Sequence, residues 1–381
     1  MLDIPAVGCY NVHKDAALIL KGTVMARVNR HLNRRDILKG FGLGALGFSL
    51  GGKFSGPTVG YAASGSRWVK KNGLFRNTSI PAKVGLVKGN DCRDIVYQAL
   101  KKIEDEAIAS IGDKKILIKP NFVITTRRLA ATHVDAVRGI LDFLKPHHKK
   151  QITIGESTIS RGGTFEGFKN YDYLPLEKEY NVKLIDLNKQ SWQYRYVFAK
   201  GHRPTPIRII STFLNPDLYI ISAAKMKTHD RVVTTLSLKN ILLGAPLNDY
   251  KTNDKRLMHS EYTFSRKSLL NYNMFHLAQE IYPDLGVIDG FEAMEGNGPG
   301  GGTPVDARIA LASLDPLAMD TLATKLMGFD PSKIMYLTSM AEAGMGQGDL
   351  RKIEVLGTPA EQCQYHFKPN QRLIEPYGLK S

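Results

Sequence analysis

The chain has 381 residues, 43% of them hydrophobic and 23% charged, with a formal charge of +16. That composition excludes a disordered or fibrous chain and is enough for one large or two ordinary globular domains. The positive surplus points to acidic partners, but residues 1–62 carry eight Lys/Arg against three acids, which leaves +11 for the rest.

The first 62 residues have the three-part layout of an export signal: basic "RVNRHLNRRDILK", uncharged "GFGLGALGFSLGG", then "YAAS" with small residues suited to cleavage after Ala62. Arg34 and Arg35, followed by Ile37, Leu38 and Lys39, resemble the twin-arginine export motif. The resemblance implies a twin-arginine translocase as a partner and a periplasmic or extracytoplasmic location. The alternative is an amphipathic helix with an incidental arginine pair. Met25 stands at a more usual distance from the arginines than Met1, so residues 1–24 read as a start-site artefact. The apolar run is short and glycine-rich, and the mature chain has no segment of about 20 apolar residues, so no transmembrane span is expected. Only Cys92 and Cys363 follow the signal, which excludes a four-thiolate iron–sulfur cluster and a zinc ribbon. Whether they pair is open.

After a basic lead-in (63–82), strands and helices alternate. "KVGLVKG" reads as a strand, "RDIVYQALKKIEDEAIAS" as a helix, "KKILIKPNFV" as a strand, and "HVDAVRGILDFLKPHH" as a helix ended by Pro146. Strand "QITIGEST", helix "YLPLEKEY" and strands "VKLIDLN", "IRIIST" and "DLYIISAAK" follow. Then come helix "VTTLSLKNILLG", helix "LLNYNMFHLAQEIY", strands "LGVIDGFE" and "ARIALAS", and helix "PLAMDTLATKLMG". Apolar strands separated by helices predict an α/β fold: one domain over 83–357, its mainly parallel sheet covered on both faces, with a tail at 358–381. The segment 245–268 has no clear period and reads as a small inserted lid or binding loop.

In such sheets ligands bind beyond the carboxyl ends of strands. Those ends carry Lys119 and Asn121, Glu156 and Ser157, Asp186, Lys225, Lys227 and His229, Asp289 and Glu292, and Ser313 and Asp315. In "KMKTH" alternate spacing projects Lys225, Lys227 and His229 to one side, where their charges repel unless an anion or acidic side chains sit among them. Thr234 and Thr235 follow as further donors. "GFEAMEGNGPGGGTP" offers glycines whose N–H groups can approach an anion, with Gly296, Asn297 and Gly298 as candidates. It matches neither a phosphate loop nor a dinucleotide fingerprint. Asp289, Glu292 and Glu295 in the same stretch either hold a divalent metal or pair with the lysines. Asp315, before Pro316, is placed as a helix N-cap, and Asp320 is ambiguous.

Taken in order, "ILIKPNFV", "ITIGEST", "DLYIISAAKMKTH", "LSLKNILLG", "VIDGFEAMEGNGPGGGTP", "LASLDPLAMDTLATKLMG" and "AGMGQGD" resemble the domain of unknown function 362 family over about residues 83–357. The resemblance implies no particular reaction. Some members carry an added iron–sulfur module, whose cysteines this chain lacks. Nickel-dependent lactate racemases show a more distant similarity that carries over no residue roles.

The expectation is an exported enzyme acting on a small anionic substrate, a carboxylate or phosphate, with metal assistance as an option. Lys119, Lys227 and His229 are its catalytic candidates. Asn121, Lys225, Thr228, Lys239, Asn240 and the Gly296–Gly298 stretch are its binding candidates. His229, His259, Asp289, Glu292 and Glu295 are its metal candidates. The alternative is a periplasmic anion-binding or redox-partner protein without catalysis. Nucleic acid is not an expected partner, because the lysines lack interleaved aromatics.

Overall fold

The structure, a computed structural model, describes residues 80–249, 251–259 and 265–380. The export segment, most of the lead-in and part of 245–268 lie outside these residues. Along the chain the strands are β1 (Ala82–Lys88), β2 (Lys115–Lys119), β3 (Ile152–Glu156), β4 (Val182–Asp186), β5 (Trp192–Ala199) and β6 (Arg203–Ile210). They continue with β7 (Leu218–His229), β8 (Val233–Thr235), β9 (Leu285–Glu295), β10 (Thr303–Val305), β11 (Ile309–Ser313) and β12 (Ile353–Gly357). All but β5 and β6 form one sheet, in the order β12-β1-β11-β9-β7-β2-β3-β4, with β8 paired to β7 and β10 to β9. Along the main order only β11 runs antiparallel to its neighbours. The expected α/β fold with a mainly parallel sheet is therefore present.

β7 shows why this sheet is covered on both faces. Tyr219, Ile221 and Ala223 join the apolar layer formed with the helices Cys92–Lys101 and Val134–Leu144. Ile220, Ala224 and Met226 join the opposite layer, with the helices Leu269–Ala278 and Pro316–Leu326. A strand apolar on both sides has no face to turn to water, so it takes a central place.

Several boundaries differ from expectation for physical reasons. The long helix over 93–110 is two, Cys92–Lys101 and Glu104–Ile111. The stretch "VTTLSLKNILLG" gives the strand β8 first, because Val233 and Thr235 are β-branched and fold back on β7. Its helix is only Ser237–Leu242, and Asp320 from the helix Pro316–Leu326 accepts the N–H groups of Ser237 and Leu238 at its start. The expected lid contains a helix, Asp254–His259. The C-terminal stretch is no loose tail, since Cys363, Phe367, Leu373 and Tyr377 enter the core. Cys92 and Cys363 are buried, free thiols.

The topology also fixes where a ligand would sit. From β2 the chain crosses to β3 and β4 on one side, whereas from β7 it crosses to β9 on the other. β2 and β7 are parallel neighbours, so the strand order reverses between their carboxyl ends, the place where open α/β sheets hold ligands.

Candidate functional site

A cavity of about 540 Å³ opens at that switch point. Lys119 and Asn121 from the end of β2, His229 from the end of β7, Lys239 and Asn240 from the following helix, and His259 from the helix Asp254–His259 all line it. Six of the residues expected from the sequence thus meet at one place.

Lys119 and Asn240 form its base. Lys119 is 1% exposed, and its Nζ lies 3.0 Å from both Glu156 oxygens, the Pro120 carbonyl and Asn240 Oδ1. Three ammonium protons facing four acceptors leave none for a ligand. Glu156 also accepts from the N–H groups of Phe122 and Ser157, so its charge is well satisfied. Burial lowers the Lys119 pKa, and the Glu156 charge opposes that shift. Gly244 packs where an added Cβ would stand 2.1 Å from Lys119 Cε, so only glycine fits against this lysine.

Lys239 is different. It is 6% exposed, and among the described residues its ammonium forms no hydrogen bond or ion pair. Burial, aided by the charge of Lys119, pushes its pKa down to about 8 even though Asp230 acts to raise it. His229, 3% exposed, is pushed well below the ordinary histidine value by burial and by Lys239, His259, Lys227 and Arg231. Its Nδ1 accepts the Arg231 N–H at 3.0 Å. The neutral ring therefore carries its proton on Nε2 and meets a ligand as a donor. The 3.4 Å approach of Asp230 to Nδ1 is then no ion pair, because the acceptor face of the ring already holds a backbone proton. His259 lies nearly parallel to His229, with ring centroids 6.5 Å apart, and burial plus the charges of Lys239 and Arg231 push it down to about 3.

Other expected residues are placed elsewhere. Alternate spacing does put Lys225 and Lys227 on the side of His229, but each finds a partner within the protein. Lys225 pairs with Asp289 at 3.0 Å, and Lys227 donates to the Ala130 carbonyl at 2.6 Å. Neither lines the cavity. Burial and the neighbouring Lys239 and Lys225 charges hold Lys227 far below the usual lysine value. Thr228 points to the other face and donates to the Gly296 carbonyl. The glycine loop is a packing device: the N–H groups of Gly296, Gly298 and Gly301 bond to Lys368, Gly296 and Asn297 carbonyls, so they are not offered to an anion. A Cβ on Gly298 would stand 2.0 Å from the Thr228 carbonyl oxygen, so glycine is needed there for the loop to reach β7. Asn297 is exposed beside it, and from this loop only Pro299 lines the cavity.

The metal set does not assemble. Asp289 is occupied by Lys225 and the N–H groups of His133 and Phe291. Glu292 is exposed, and Glu295 accepts from the Lys368 N–H. The register between β7 and β9 shifts between Asp289 and Met294, so plain alternation does not bring these three side chains together. Among the described residues no three His, Cys, Asp or Glu are grouped to hold a metal ion. Among the described residues His229 and His259 approach each other without a third ligand.

Five charged residues of the cavity lining were outside the expected set: Glu156, Asp230, Arg231, Lys255 and Arg256. Glu156 had been noticed only as a strand end. Lys255 sits in the segment without a period, where nothing marks it. Its Nζ donates to Ser157 Oγ and to the Leu243 and Gly244 carbonyls, which hold it as an ammonium, while burial pulls its pKa down to about 7.

Comparison with known proteins gives the family. The profile described as domain of unknown function (DUF362) matches residues 116–325, more than half of the chain. The chain belongs to this family. The DUF362 match runs from β2 to the helix Pro316–Leu326 and so spans Lys119, Asn121, Glu156, His229, Lys239, Asn240 and Lys255. A thylakoid-associated protein of Synechocystis sp. is 25% identical over 272 residues, 70% of this chain and 80% of that protein. A crystal structure of a Thermotoga maritima protein is similar at a TM-score of 0.41 and 11% identity, covering 68% of this chain. The chain spans 59% of the length of that protein. Among the described residues no helix is long and apolar enough to cross a membrane.

Proposed function

We propose that the cavity between the ends of β2 and β7 binds a small organic anion, a carboxylate or phosphate, and that the protein is an enzyme acting on it. The observation that carries this reading is Lys239, a buried ammonium that faces the cavity and makes no hydrogen bond or ion pair among the described residues, the Asp230 charge in the same lining acting on it only from a distance. A buried cation without a partner is costly unless a ligand supplies the opposite charge. Burial lowers Lys239, His229 and His259 alike, with Lys239 adding to the shift of both histidines and Lys119 to that of Lys239, and an anion among them would raise all three. Binding would therefore take up protons. His229 then serves as a hydrogen-bond or proton donor through Nε2, not as the base or metal ligand its type first suggests. A metal-assisted form would need ligands that the described residues do not group together.

Calorimetry with small carboxylates and phosphates in two buffers of different ionisation enthalpy tests this. The expected result is saturable binding with net proton uptake, lost in Lys239→Met. An absence of binding to any such anion, or unchanged binding in that variant, defeats the proposal. Catalysis is separated from binding alone by His229→Gln, which should remove turnover more than affinity.

We also propose an extracytoplasmic location reached by twin-arginine export. Arg34 and Arg35 support it, as does the thylakoid association stated for the Synechocystis relative. Replacing both arginines with lysine should leave the protein in the cytoplasm; unaltered fractionation would refute the route.

A further inference from the structure

One polar side chain that lines the cavity narrows the ligand class, and the inference rests on the anion reading above. Ser222 donates its hydroxyl proton to the Ser237 carbonyl at 3.0 Å, so its oxygen accepts from Asn240 Nδ2 at 3.1 Å. Asn240 Nδ2 also donates to the Lys119 carbonyl at 3.0 Å, which can only accept. The Asn240 amide is thereby fixed, with Oδ1 facing Lys119 Nζ and Asn121 at 3.0 and 3.1 Å. Asn121 must meet that oxygen with its NH₂ group, because the flipped amide would set oxygen against oxygen. Asn121 Oδ1 is left over. The residue is 8% exposed, lines the cavity, and its Oδ1 has no partner among the described residues. The hydroxyl of Thr235, 1% exposed and lining the same cavity, has none among them either.

A buried acceptor held by such a chain cannot rotate to find another donor, and its desolvation is unfavourable until a donor reaches it. Lys239 asks the ligand for negative charge, whereas Asn121 asks it for a proton donor. We infer that the ligand is an anion that also carries a hydroxyl or amine group, which donates to Asn121 Oδ1 while the anionic group faces Lys239. Simple carboxylates and phosphates fill only half of this pattern.

Paired ligands that differ in the hydroxyl test this on the full chain: malate against succinate, and glycerol 3-phosphate against propyl phosphate, by calorimetry near pH 7. In at least one pair the hydroxylated member should bind tighter by roughly 5- to 150-fold, the range set by leaving one buried acceptor unmet. In Asn121→Ala, with folding checked by circular dichroism, the ratio within that pair should fall towards one. Equal binding of both members in each pair, with affinity still lost in Lys239→Met, overturns the donor inference and leaves the anion reading standing; it would mean that water satisfies Asn121. A ratio that survives in Asn121→Ala also overturns it. If no member of either pair binds, both readings fall.

Discussion

Replacing Lys239 with methionine should make the protein more stable and less able to bind. The lysine is 6% exposed and its pKa falls from 10.5 to about 8. At about 1.4 kcal/mol per pKa unit, holding its charge in the folded protein costs about 3 kcal/mol. The sign follows from proton counts. Below pH 8 folded and unfolded chains both carry the proton, and the folded form bears the full cost. Between pH 8 and 10.5 only the unfolded chain binds it, so wild-type stability rises with pH there; above 10.5 the cost is gone. Methionine has similar length and no charge, so it fills the space without that cost. Denaturant unfolding of both proteins without ligand, from pH 6.5 to 10.5, measures the difference. Lys239→Met should be more stable by about 3 kcal/mol at pH 7, on the order of 5–10 °C in melting temperature, with the gap closing towards pH 10.5. A variant less stable than wild type at pH 7, or a gap that ignores pH, would refute the reasoning.

Three further outcomes are expected. Anion affinity should decline as pH rises through about 8, by about tenfold per unit once Lys239 loses its proton, as titration calorimetry would show; a flat profile between pH 7 and 9.5 would remove Lys239 from the site. Glu156→Gln leaves Lys119 as an uncompensated buried cation and should destabilise by about 3–5 kcal/mol in urea unfolding, whereas a change under 1 kcal/mol would mean that the pair is dispensable. Gly298→Ala sets a methyl group against the Thr228 backbone and should cost about 1–3 kcal/mol with little change in anion affinity, because the N–H groups of Gly296, Gly298 and Gly301 are already used; a large affinity loss without destabilisation would return that loop to the site.

How much of this was legible in the sequence depended on range. Alternation of apolar runs is local, and it disclosed the parallel sheet. Strand ends are local too, and they disclosed Lys119, Asn121 and His229, with Lys239 and Asn240 one helix further on. The partners of charged groups are not local. Alternate spacing put Lys225 beside Lys227 correctly, and pairing of Asp289 with the lysines was one of two readings open for that acid, but only the fold, which brings it from 64 residues later to Lys225, decides between them. The fold alone likewise sets Glu156 opposite Lys119 and Lys255 under Ser157. The metal set failed for a reason that was not local: Asp289 is taken up by Lys225 and two backbone N–H groups, and Glu295 by the Lys368 N–H. β8 was missed because "VTTLSLKN" satisfies helical spacing, and only the return onto β7 shows that its first residues belong to the sheet.

The two walls of the cavity differ in how readily they open. His229 ends β7, a twelve-residue strand in which every residue except Leu218 is buried and which pairs with β2 on one side and β9 on the other. Freeing that wall means splitting the sheet, so the amides of β7 should exchange with solvent only when the whole domain unfolds. The opposite wall, with Lys255 and His259, stands on a helix of six residues. A helix that short draws its order from what it packs against, and it can detach at far lower free energy. Ligand departure should therefore follow the breathing of Asp254–His259, while the protection that ligand confers on β7 grows with its concentration as an increment to global stability.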